Sequence, residues 1–218
     1  MIDLETITSM VEEAKKNSKK RNFIQSMELI VNLKGLDMKS PENRINEVIT
    51  LPNPIGKEVK ICVIADGDLL IKAKQAGADL VISKQELDQY TNDRKAIKKL
   101  ASQYDFFIAR ADLMAIIGKI LGPVLGPRGK MPDPVPPTAN IDAIVKNYRK
   151  SVRIRMRDQP VIKCRVGTEN MDSRSIAENV MAVLSAIDRR IKLDQYLSSI
   201  IIKTTMGKPM EIRGVEIG

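Results

Sequence analysis

VKICVIADGDLLIKAKQAGADLVIS, residues 59–83, decides the fold class. VKICVIA is a continuous apolar run of strand length, GDLLIKAKQAG fits a helix, and ADLVIS is a second apolar strand. The pattern continues downstream. NDRKAIKKLASQ (92–103) fits a helix, YDFFIAR (104–110) a third strand, and ADLMAIIGKILG (111–122) an apolar helix with Leu113, Ile116, Ile117 and Ile120 on one face. NIDAIVKNYRKS (140–151) supplies one more helix. Apolar strands alternating with helices predict β-α-β units and a parallel sheet covered on both faces.

The flanks read differently. Residues 3–17 form an amphipathic helix with Leu4, Ile7, Val11 and Ala14 at helical spacing and Asp3 as its cap. SMELIVNL (26–33) alternates as a strand, SPENRINEV (40–48) reads as a polar turn of helix, and VITLPNPIG runs into a Pro/Gly breaker. VRIRMR (152–157) puts Val152, Ile154 and Met156 on one side and Arg153, Arg155 and Arg157 on the other. With VIKCRVG (161–167) across the turn at RDQP, it reads as an antiparallel hairpin with one cationic and one apolar face. A strong amphipathic helix (173–191) and strands SSIIIKTTMG and KPMEIRG close the chain.

Each flank is too short to bury a core by itself. The expected arrangement is therefore an insertion. Residues 1–56 and 151–218 build one α+β domain, and 57–150 form an α/β domain carried on two linkers.

Composition narrows the function. The chain has 218 residues, 36 Lys plus Arg against 27 Asp plus Glu, and a net charge of +9. That balance favours a polyanionic partner, nucleic acid first. Charge of both signs also suits a thermophile or archaeal protein. Histidine and tryptophan are absent, which excludes a Ser-His-Asp triad, a Cys-His pair and His-ligated metal. Cys62 and Cys164 lie in apolar strands and read as buried hydrophobes in a reducing compartment. No apolar run approaches membrane-spanning length, and MIDLETITSM lacks the charge-then-apolar order of a secretory signal.

GPVLGPRGKMPDPVPP (122–137) invites a reading as a phosphate cradle. It fails the Walker pattern, because Val124 stands where the first glycine belongs and Met131 where a Ser/Thr hydroxyl is needed. It also follows a helix, whose dipole end repels anions. An enzyme acting on a nucleotide or sugar phosphate, with Asp66 and Lys130 as acid–base pair, remains the rival reading. A rigid loop with solvated cations is the plainer one.

The same loop carries a resemblance. Gly-Pro-Arg-Gly-Lys-Met-Pro-Asp-Pro (126–134), with Thr-Thr-Met-Gly (204–207) near the C-terminus, resembles the ribosomal protein L-one family of the large-subunit stalk over essentially the whole chain. ENRINEVITLPNPIGKEVKICVIADG looks closest to archaeal members. The resemblance implies a split β-α-β domain made from both termini and an inserted Rossmann-like three-layer domain. It implies a cytoplasmic, ribosomal protein, monomeric when free, without cofactor or catalysis. Its partners would be large-subunit ribosomal RNA, its own messenger RNA as a translational repressor, and exit-site tRNA.

The family's RNA contacts carry over to the region of Phe23 and Ser26 and to Thr204, Thr205, Met206 and Gly207. The chemistry suits RNA. Hydroxyls can exchange hydrogen bonds with 2′-hydroxyls, glycine lets a sugar–phosphate backbone approach, and Met206 and Phe23 offer apolar faces. Lys20 and Arg21, with Arg157 and Lys163 flanking the hairpin turn, are the expected phosphate partners. Gly126, Arg128, Gly129, Lys130 and Met131 are expected at the domain junction, setting how far a hinge closes.

Overall fold

The computed structural model describes residues 3–91 and 93–213. Met1, Ile2, Asn92 (the first residue of the helix read at 92–103) and 214–218, which include the last residue of KPMEIRG, lie outside the described residues. Internal contacts divide the chain into two compact units, Met1–Lys57 with Lys150–Gly218, and Glu58–Arg149.

The first unit opens with α1 (Leu4–Lys16). Asp3 Oδ1 accepts from Thr6 N at 3.0 Å and satisfies one of the unpaired N–H groups at the helix start. Ile7, Met10, Val11 and Ala14 form its buried stripe. β1 (Ser26–Leu33) buries every second residue, as a strand with one covered face must. The helical turn expected at 40–48 is limited to a 3-10 turn at Pro41–Asn43. Arg44 is already extended at φ −88°, ψ 125°, and β2 (Ile45–Thr50) starts beside it.

The second unit is built on parallel strands. β3 (Ile61–Ile64) is buried at every position. Gly67, at φ +65°, turns the chain into α2 (Asp68–Gln75), which returns to β4 (Leu80–Ile82). α3 (Lys84–Gln89) escapes a periodicity reading because its single buried residue, Leu87, shows no repeat. Its signal is a capping box: Glu86 N donates to Ser83 Oγ at 3.2 Å and Ser83 N to Glu86 Oε2 at 2.7 Å. α4 (Arg94–Gln103), β5 (Phe106–Arg110), α5 (Met114–Ile120), α6 (Gly122–Arg128), β6 (Asp133–Val135) and α7 (Ile141–Arg149) follow.

The sheet order is β4-β3-β5-β6, all parallel. Cys62, Ile64, Phe107 and Ala109 join a core with Leu87, Ile97, Leu100, Ile117 and Leu125 from α3 to α6. Ile61, Val63, Phe106 and Ile108 alternate with them. The helices α2 and α7 pack on β3 and bury Leu69, Ala73, Ile141 and Val145. Burial of both strand faces is what the apolar runs require.

The stretch at 122–137 is a loop only in part, which corrects the sequence reading. Pro123 stands in the first turn of α6, where its missing N–H leaves no bond unmade, and Gly129 ends the helix at φ +68°. Pro134 then sits in β6, at the sheet edge, where a strand tolerates proline. Pro123 and Gly129 thus bound a short helix, while Pro127 lies within it.

The chain then returns to the first unit with β7 (Ser151–Met156), β8 (Val161–Thr168), α8 (Ser173–Asp188), α9 (Leu193–Tyr196), β9 (Leu197–Thr204) and β10 (Met210–Arg213). The main sheet runs β10-β9-β1-β8, antiparallel throughout. Both α1 and α8 are amphipathic, and α1 packs on β9 and α8 on β8. The hairpin expected over 152–167 is not formed. β7 alternates as read, burying Val152, Ile154 and Met156, but it pairs with β2 in a separate two-stranded sheet, while β8 pairs with β1. Alternation fixes which face of a strand is buried and says nothing of which strand lies beside it.

Candidate nucleic-acid interface

Three segments of the first unit meet where β1 begins: the α1–β1 connection, the residues after β8, and the turn after β9. Strand register brings them together. Ser26 pairs with Thr168 and Met27 with Thr204. Thr205 N donates to Ser26 O at 3.0 Å, and its hydroxyl donates to the same oxygen at 3.3 Å. Glu169 N donates to Gln25 O at 3.0 Å.

Gln25 is the fully buried centre of this arrangement. Its Oε1 accepts from Met206 N at 3.1 Å. Its Nε2 lies 2.9 Å from Ser18 Oγ, 3.1 Å from Lys19 O and 3.2 Å from Glu169 Oε2 as donor. Ser18 Oγ and Thr204 Oγ1 lie 2.8 Å apart. Gly207 packs against this pair, and a Cβ there would fall 2.2 Å from Thr204 Oγ1. Glycine is needed here for close approach, not for a left-handed backbone.

Around this buried polar centre the surface is apolar. Phe23 is 54% exposed, Ile24 60% and Met206 60%. Large apolar side chains held this open are the informative exception to burial. A groove beside them is lined by Lys15, Lys20, Arg21, Phe23, Glu169 and Asn170. Lys15 is braced by bonds to Met171 O and, at 3.2 Å, to Ser173 Oγ. Burial lowers its pKa below the ordinary lysine value, opposed by the charges of Asp172 and Glu12. Flat apolar faces, backbone-anchored hydroxyls and flanking cations together can hold a ribose–phosphate chain.

Residues 14–208 match the ribosomal protein L1p/L10e family. The chain belongs to that family. It is 52% identical over 207 residues to the large ribosomal subunit protein uL1 of Methanothermobacter thermautotrophicus, covering 94% of this chain and 98% of that one. The uL1 proteins of Pyrobaculum arsenaticum and Thermofilum pendens are 46% and 49% identical over 217 and 209 residues, covering 100% and 95% of this chain and 97% and 92% of theirs. The L1 family is structural and not enzymatic. Among the described residues no helix is long and apolar enough to cross a membrane, and no three metal-ligating side chains cluster.

Most of the residues carried over from the L1 family lie together at this surface, Phe23, Ser26, Thr205, Met206 and Gly207, and Lys20 and Arg21, read from the basic run, lie beside Phe23. Thr204 departs from its expected contact role. It is fully buried with its hydroxyl against Ser18, so it positions the turn. Arg157 and Lys163 are not brought to this place. β8 pairs from Asn32↔Val161 to Ser26↔Thr168, and steps of about 3.4 Å put those ends roughly 20 Å apart. Arg157 lies beyond the far end, exposed and 3.6 Å from Asp158. Lys163 is exposed in mid-strand opposite Ile30.

The loop residues of the L1 signature belong to the second unit. Arg128 Nη1 donates to Ser102 Oγ at 2.9 Å and Lys98 O at 3.3 Å. Lys130 Nζ donates to Ala101 O at 2.9 Å and Tyr104 O at 2.7 Å. Both cations close the C-terminal end of α4, where unpaired carbonyls and the helix dipole favour positive charge. Met131 packs on the core, and Gly126 lies within α6. The acid–base pairing of Asp66 with Lys130 is corrected by topology. Asp66 follows the C-terminal end of β3, whereas Lys130 binds at Tyr104, just before β5 begins. β3 and β5 are parallel, so the two residues lie at opposite ends of the sheet.

Gln25 and Glu169 stand in no charged run and in no L1 signature, and Ser18 is a neutral residue inside the basic run 15–21, so none of the three is picked out by sequence. A weak signal exists for Gln25. In QSMELIVNL it shares the inward parity of Met27, Leu29, Val31 and Leu33, a polar residue in line with the buried face.

Proposed function

We propose that this chain is a protein of the large ribosomal subunit that binds the ribosomal RNA of the mobile stalk. The contact surface is Phe23, Ile24, Ser26, Thr205, Met206 and Gly207, with Lys20 and Arg21 on the phosphates. The observation that carries this reading is the exposed apolar patch of Phe23, Ile24 and Met206 held rigid over a fully bonded polar centre. Membership of the L1 family and the ribosomal names of its relatives support it.

The proposal includes the cytoplasmic ribosome as the site of action, repression of the chain's own messenger RNA through the same surface, and a stalk position beside exit-site tRNA. It also takes the two units as domains, 1–56 with 151–218 in a split β-α-β fold and 57–150 in a Rossmann-like fold. Arg157 and Lys163 enter it as outlying phosphate contacts, and Gly126–Met131 as a segment that sets domain closure. No observation favours an enzymatic reading.

A variant lacking residues 58–149, bridged by a short flexible linker, tests the location of the RNA surface. Its affinity for large-subunit ribosomal RNA is expected to stay close to that of the whole chain, with circular dichroism showing a folded protein. A folded variant that no longer distinguishes this RNA from a scrambled one places recognition elsewhere.

A further inference from the structure

Gln25 spends all its polar groups on the segments that carry the exposed side chains. Its backbone N donates to Glu169 Oε1 at 2.9 Å, and its backbone O accepts from Glu169 N at 3.0 Å. Its amide reaches Ser18, Lys19, Glu169 and Met206. An amide nitrogen has two hydrogens, so three acceptors share them, and the oxygen is left for Met206 N. Burying an amide this completely is favourable only when every bond is made. An apolar side chain would fill the same volume without fixing any of the three segments. The amide therefore acts on geometry.

We propose that Gln25 is the positioning residue of the RNA surface. Its amide holds the Ser18–Lys19 connection, Glu169 and the Met206 turn in one register, and that register supplies the discrimination between target and other RNA. The cations Lys20 and Arg21 supply the part of the affinity that is shared by all RNA. The proposal rests on the RNA-binding reading above.

The test exchanges the donor and acceptor of the Gln25–Glu169 pair. Gln25→Glu keeps the size and the acceptor for Met206 N but sets a second carboxylate against Glu169. Two such carboxylates resist joint ionisation, so one holds its proton above the ordinary carboxylate pKa. Protonated, it is again a donor. Q25E is expected to lose target affinity about ten-fold or more at neutral pH and to recover it as pH falls. The wild type shows no such recovery. Adding Glu169→Gln re-forms that bond with its polarity reversed, and the double variant regains part of the target affinity at neutral pH, the remainder staying lost because Lys19 O then faces a carboxylate oxygen in place of an amide N–H. Gln25→Met fills the volume with no polar atom, and it keeps the test open should Q25E fold poorly.

The readout is affinity for large-subunit ribosomal RNA and for a scrambled RNA of equal length, over a salt series. The expected loss is confined to the target RNA, with an unchanged salt slope, because no phosphate contact is removed. Folded Q25M with wild-type discrimination overturns the proposal. So does an equal loss on both RNAs, or a double variant that binds the target no better than Q25E alone. If the wild type itself does not separate the two RNAs, the RNA-binding reading falls, and the role of Gln25 falls with it.

Discussion

The hydroxyls of Ser18 and Thr204, 186 positions apart in the chain, lie 2.8 Å from each other beneath the exposed Met206. The contact joins the end of α1 to the end of β9, and Thr204 is fully buried. Thr204→Val removes the hydroxyl and leaves Ser18 with one partner fewer. The expected cost is about 1–2 kcal/mol of stability, read as a lower thermal midpoint, with weaker binding to target RNA than to scrambled RNA.

Gly207→Ala places a methyl group 2.2 Å from Thr204 Oγ1, closer than two such atoms can approach. The turn must shift to accept it, at a cost of about 1–3 kcal/mol for an overpacked site. Target affinity is expected to fall with it, because Met206 moves with the turn. A crystal structure or amide-exchange measurement of the variant checks the displacement.

Much of the architecture is legible in the residues, and the misses have physical causes. β1 reads correctly because Met27, Leu29, Val31 and Leu33 alternate on a half-buried strand. β3 and β5 read correctly because two-sided burial forces an unbroken apolar run. The partner of β7 is not legible, since Val152, Ile154 and Met156 specify a face and not a neighbour. α6 is hidden by Pro123 and Gly129, which bound it, and by Pro127, which lies inside its last turn. At the candidate site, exposed Met206 stands in the Thr-Thr-Met-Gly signature and exposed Phe23 in the region that the resemblance carries over. Gln25 joins Glu169 and Met206 by hydrogen bonds across 144 and 181 positions, which no local pattern records.

Lys130→Ala removes two charge-assisted bonds from the end of α4, to Ala101 O and Tyr104 O. Lys130 is partly exposed, so solvent screening limits the effect to about 1–2 kcal/mol. The loss is expected in the unfolding of the second unit, with RNA binding by the first unit unchanged. Hydrogen exchange across Leu100–Phe106 against a filter-binding assay separates the two.

Carboxylates bonded in the native state add to stability against acid, by small amounts where, as here, they are exposed and screened by solvent. Hydrogen bonds from Ser83 lower the pKa of Glu86 below its ordinary 4.5, and Arg110 lowers that of Asp112 below 3.8. A depressed native pKa gives stability that is complete above the ordinary value and is lost as pH falls through the native one. Glu86→Gln and Asp112→Asn are therefore expected to reduce stability at neutral pH and to flatten its decline below about pH 4.5. Unfolding midpoints collected along an acid titration test the sign.

On the proposed reading, recognition of target RNA resides in the exposed turn after β9, held by Gln25 and Thr204. The most direct measurement is the affinity of Thr205→Ala with Met206→Ala for large-subunit ribosomal RNA and for scrambled RNA of equal length, at matched salt. The predicted result is a loss of about ten-fold or more on the target with little change on the scrambled RNA. Equal losses on both, or no loss on the target, would contradict the account.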